Sequence, residues 1–142
     1  MATKRKKRVR AAGEDNMGRI ELHYSSAAGD AEAVRGHLQG GADKNATDDN
    51  GWSPLHFAAQ ASSEPVTRLL LHAGAEINAQ DSNGNTPLST AVFASKGEGE
   101  LIQLLRASGA DPFLENNYGV SPVSLASSIA NYNVAQHFND LP

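Results

Sequence analysis

Apolar residues in this chain fall in short runs with helical spacing. Val66, Leu69 and Leu70 form one run, Leu101, Leu104 and Leu105 a second, and Val134 with Phe138 a third. Spacings of three and four residues place each set on one face of a helix. Ahead of each run lies a segment with small residues, at Ala58, Ala59, Ala91 and Ala126. Small side chains let a neighbouring helix come close, so the pattern predicts paired short helices. Ser53, Thr86 and Ser121 precede Pro54, Pro87 and Pro122. They read as N-caps followed by proline at the first helical position, where a missing N–H costs nothing. Gly41, Gly74 and Gly109 end the second helices, where a left-handed C-cap suits glycine. An extended piece and a polar turn follow, "ATDDNG" or "AQDSNG". The unit is helix, turn, helix and a long finger-like turn.

The unit recurs in register. "NGWSPLHFAA" begins at Asn50 and "NGNTPLSTAV" at Asn83, 33 residues later. "YGVSPVSLAS" begins at Tyr118, 35 residues further on, and a degraded copy, "MGRIELHYSS", begins at Met17. "GADKN", "GAEIN" and "GADPF" repeat in step at Gly41, Gly74 and Gly109. Two extra residues in the third copy fall in "SKGEGE", at 95–100, and read as a loop insertion. Such periods mark a stack of identical supersecondary units. The boundaries expected are 17–50, 51–83, 84–117 and 118–142.

"DDNGWSPLHFAA", "LLLHAGAEINAQD" and "DSNGNTPLSTAV" resemble the ankyrin repeat over residues 15 to about 140. The resemblance implies an all-α solenoid of four helix-turn-helix repeats with β-turn fingers and a concave binding face. It also implies that His23 and His56 pack against the turn and hydrogen-bond there. The terminal copies depart from the pattern. Ile20-Glu21 replaces Thr-Pro, His37 takes an otherwise apolar position, and Ala130 stands where a glycine is usual. End repeats need a polar outer face, so these departures read as caps and four repeats as a complete stack.

Charge adds a second segment to this picture. "KRKKRVR", from Lys4 to Arg10, holds six of the 12 basic residues and no acid. The remainder sets six bases against all 16 acids, a formal charge of −10. Clustered like charges that bury nothing predict a disordered tail over 1–15, ahead of a repeat domain over 16–142. The tail reads as a solvated arm, or as a nuclear-targeting or phosphate-binding segment, the one place where nucleic acid would bind. There is no cysteine, which excludes a disulfide scaffold or a cysteine-based site. No apolar run is long enough to span a membrane, and none follows the basic N-terminus as in a secretory signal. A cytoplasmic protein, monomeric when free, is expected, or a nuclear one if the source is eukaryotic.

Little here suggests catalysis. His37, His72 and His137 lack carboxylates at metal-ligand spacing. "KGEGE" lacks the strand and the Gly-Lys-Ser/Thr ending of a phosphate loop. "NAT" at 45–47 is a formal glycosylation sequon that reads as a turn. No nucleophile elbow is present. No cofactor, metal or catalytic residue is expected.

Binding remains. The resemblance maps outward positions onto the finger tips and the inner face of the first helices. Arg19, Asp49, Trp52, Gln60, Gln80, Asn85, Phe93, Glu115 and Tyr118 are the partner-binding candidates. Trp52, Phe93 and Tyr118 come from consecutive repeats, and tryptophan and tyrosine are enriched at interface hot spots. The competing readings are core packing for Phe93 and cover of its own repeat for Trp52. Asp48, Asp49, Asp81 and Glu115 at the tips suggest a basic protein partner. The compact layout and "NNYGVSP" with "IANYNVAQHF" resemble small bacterial ankyrin proteins, some of which are immunity proteins against a toxin. The expected function is a non-enzymatic protein-binding module, in its sharper form an inhibitor of a basic toxin. The alternative is a nuclear or nucleic-acid-associated adaptor.

Overall fold

The computed structural model describes residues 13–142; the basic run Lys4–Arg10 lies outside the described residues. Seven α-helices follow in chain order: α1 (Glu21–Ala27), α2 (Ala31–Gln39), α3 (Pro54–Gln60), α4 (Glu64–His72), α5 (Pro87–Ala94), α6 (Glu100–Ala107) and α7 (Pro122–Ser128). A 3-10 helix, Val134–Phe138, closes the chain. Among the described residues there is no strand, and no helix is long and apolar enough to cross a membrane.

Local signals set the helix ends. Ser53, Thr86 and Ser121 each accept a hydrogen bond from the backbone N–H three residues on, with proline at the next position. The helix-ending glycines adopt the left-handed conformation, with φ of 89° at Gly41, 91° at Gly74 and 103° at Gly109. The last unit differs from expectation, because a five-residue 3-10 turn replaces its second helix. Gly29, Ser62 and Lys96 take positive φ between the paired helices. Ala130 stands there in the last unit. The chain instead leaves α7 extended, with ψ 116° at Ile129.

The first helices pack in a row, α1 on α3 on α5 on α7, and α2, α4 and α6 form a second row behind them. Leu22, Val34, Leu55, Val66 and Leu70 form one part of the core; Leu88, Val92, Ile102, Leu105, Val134 and Phe138 belong to another. Leu71 and Ile77 pack against both, so the core runs through the stack. Leu69 and Leu104, expected among the core positions, are half-buried and face a groove of about 740 Å³ behind the second helices. Arg35, Arg68 and His72 also line that groove, which contains no aromatic side chain other than the imidazole.

The inserted loop before α6 docks on the final turn. His137 Nε2 donates to the Gly97 carbonyl at 2.8 Å. A side chain at Gly99 would place its Cβ within 2.2 Å of the His137 ring, so glycine is needed for this approach. Arg106 fixes the same segment with a fork of hydrogen bonds to Asp140, at 2.8 and 2.7 Å, and a third to the His137 carbonyl. Its guanidinium also lies 5.2 Å from the Phe138 ring centroid.

Candidate protein-binding face

The fingers are built around one repeated side chain. Asp48 Oδ1 accepts the N–H groups of Asn50 and Trp52, and Asp81 Oδ1 those of Asn83 and Asn85, all at 2.9 Å. Asn116 does the same for Tyr118 and Val120. Asp15 does it for Met17 and Arg19, so this residue of the expected tail braces the first finger. Short side-chain oxygens close such turns by taking backbone donors two and four residues on. One backbone bond then joins each finger to the next: Asp49 N–H to Met17, Ser82 N–H to Asn50, and Asn117 N–H to Asn83. At Gly84 an added Cβ would lie 2.8 Å from the Asn117 nitrogen, so the fingers stack too closely for a side chain.

His23 and His56 tie fingers to helices. Nδ1 of His56 accepts from Ser53 N–H at 3.1 Å, which leaves Nε2 to donate to the Asn85 carbonyl of the next repeat at 2.9 Å. His23 does likewise between Ile20 and Ala46. Both imidazoles are fully buried, and burial pushes their pKa values down, which favours the neutral ring these bonds require. The expected packing role is therefore met, and the His56 bond reaches the neighbouring repeat as well. Asn45, of the formal sequon, accepts the Glu76 N–H at 2.8 Å and so also joins two repeats.

The candidates separate into two groups. Trp52, Gln60, Asn85, Phe93 and Tyr118 line one concave cleft of about 460 Å³ between the fingers and the first helices. Phe93 is 79% exposed and Tyr118 75% exposed, so Phe93 does not pack in the core. Trp52 is half-buried, and the expected cover of its own repeat is met. Its ring lies 5.0 Å from Phe57 and 5.5 Å from His56, and it also faces the cleft. Asp81, Ser89, Thr90, Asn116, Val120 and Leu125 complete much of the wall, with Asp81 its one formal charge among the described residues.

Arg19, Gln80, Glu115 and Asp49 lie outside this cleft. Arg19 is engaged within the fold, donating to Asp48 Oδ2 at 3.2 Å over the Tyr24 and Phe57 rings. Gln80 donates to the carbonyls of Gly84 and Glu115, bridging two fingers. Asp48, expected at an acidic tip, is buried, and its two oxygens serve the turn and Arg19. Tyr24 and Phe57 were not among the candidates, although they complete a row with Arg19 and Trp52, which were. The signal for it is positional, since Arg19 and Trp52, like Tyr24 and Phe57, are 33 residues apart.

Among the described residues no group of histidine and acidic side chains could hold a metal ion. No curated protein matches the chain. A family model described as ankyrin repeats (3 copies) matches residues 22–116, well over half the sequence. With the paired helices, the stacked fingers and the two buried histidines, that match means the chain belongs to the ankyrin-repeat family.

Proposed function

We propose that the 16–142 stack is a non-catalytic binding domain that captures a protein partner on its concave face. Ankyrin repeats are a protein–protein interaction module, and the observation that carries the placement is the cleft holding Trp52, Phe93 and Tyr118. Two large aromatic side chains left mostly exposed on consecutive repeats lose favourable burial unless a partner covers them. Hot spots of this kind carry most of an interface's energy.

The body's excess of acid and the carboxylate in the cleft support a basic partner. In its finer form this reading is an immunity protein that covers the cationic surface of a cognate toxin in the cytoplasm. Affinity capture from the source cell with the full chain, repeated with Phe93→Ala/Tyr118→Ala, tests the binding face. Capture of a basic protein by the parent alone is expected. Equal capture by both forms would contradict it, and failure to protect a cell expressing that partner would remove the immunity reading.

A further inference from the structure

The first two repeats show how this molecule holds a guanidinium. Arg19 donates from Nε to Asp48 Oδ2 at 3.2 Å, with its guanidinium carbon 5.7 Å from the Tyr24 ring centroid and 5.1 Å from that of Phe57. The other carboxylate oxygen is occupied by the turn, accepting from Asn50 and Trp52. Carboxylate below and aromatic faces beside form a complete site for a planar cation.

One repeat on, the carboxylate recurs without a cation from the described residues. Asp81 occupies the same place as Asp48, and its Oδ1 accepts from Asn83 and Asn85 in the same way. Its Oδ2 accepts no hydrogen bond from the described residues. The position of Arg19 is held in this repeat by Trp52, which leans on Phe57 and His56. Asp81 therefore faces an open cleft shared with Trp52, Phe93 and Tyr118, and among the described residues no other formal charge lines it.

The geometry points to a subsite for an arginine side chain of a partner polypeptide, its guanidinium on Asp81 Oδ2 and its faces against the exposed rings. This assignment rests on the concave face being the binding surface and names what that face recognises. The lone carboxylate disfavours an anionic residue. Arginine fits better than lysine because its head group is flat, weakly hydrated and stacks on aromatic rings.

The chain carries its own reporter, since Trp52 is its one tryptophan. N-acetyl-arginine amide titrated into the full-length protein should change Trp52 emission and shift the Asn83 and Asn85 amide resonances. N-acetyl-lysine amide should bind several-fold more weakly. Asp81→Asn should weaken the arginine probe on the order of tenfold. The fold should survive that change, because Asn116 already performs the same turn bonds in the last finger. No shift at Asn83 and Asn85, or an equal response in Asp81→Asn, would overturn the assignment. So would equal binding of the two probes. A full-length Arg5→Ser/Arg8→Ser/Arg10→Ser variant that binds the probe more tightly than the parent would show the chain's own arginines to be the occupant, which overturns the partner source. A captured partner lost with Phe93→Ala but held unchanged by Asp81→Asn would keep the binding face and sink the arginine subsite.

Discussion

Val34, Thr67 and Ile102 hold equivalent places on α2, α4 and α6, and all three are fully buried. Only Thr67 carries a hydroxyl there, and its Oγ1 has no hydrogen-bond partner among the described residues. A buried unsatisfied hydroxyl costs about 1–3 kcal/mol, while its apolar isostere leaves packing intact. Thr67→Val should therefore stabilise the fold by about 1 kcal/mol, read as a higher urea midpoint at unchanged slope. A lower midpoint would show a partner for that hydroxyl. The histidines make a second prediction at this scale. Burial holds His23 and His56 below the ordinary value of 6.5. Their unfolded forms bind protons as pH falls through about 6.5 while the folded forms do not, so the unfolded state gains. Stability present above about pH 6.5 should decline toward about pH 5, before the carboxylates protonate. Urea unfolding across that window checks this, and a constant midpoint would contradict the buried neutral rings.

At the scale of elements, most of the fold was legible in the sequence, because its determinants are local. Ser-Pro and Thr-Pro pairs start helices, and Gly41, Gly74 and Gly109 end them, whatever lies far away in the chain. The final turn was not legible. Val134 and Phe138 have helical spacing and are buried, yet they lie in a 3-10 turn and not in an α-helix. That turn is held by long-range bonds from Arg106 and the inserted loop, which no local pattern announces. Arg106→Ala should release it, raising amide exchange at Val134–Phe138 by about tenfold or more, with α3 and α4 unaffected. Uniform acceleration would show instead that the whole stack unfolds as one unit. The candidate site was half legible for a similar reason. Exposure of Phe93 and Tyr118 follows from their positions on the repeat, whereas Arg19 turned inward because a carboxylate and two rings from different segments converge on it.

Over the whole molecule the two faces offer different chemistry. The groove behind the second helices joins apolar side chains to Arg35 and Arg68, while the concave cleft joins three aromatic residues to Asp81. A basic partner is attracted by the second and opposed by the first. Trp52→Ala should weaken that partner and also lower stability, since the ring packs on Phe57 and His56; Phe93→Ala, whose side chain is mostly exposed, should weaken binding alone. The most direct measurement compares partner affinity, by calorimetry, for Phe93→Ala/Tyr118→Ala on the concave face and Arg35→Ala/Arg68→Ala in the groove behind the second helices. A loss of about a hundredfold or more is expected for the first pair and little change for the second. Unchanged affinity in the first pair, with loss in the second, would place the partner on the other side of the stack.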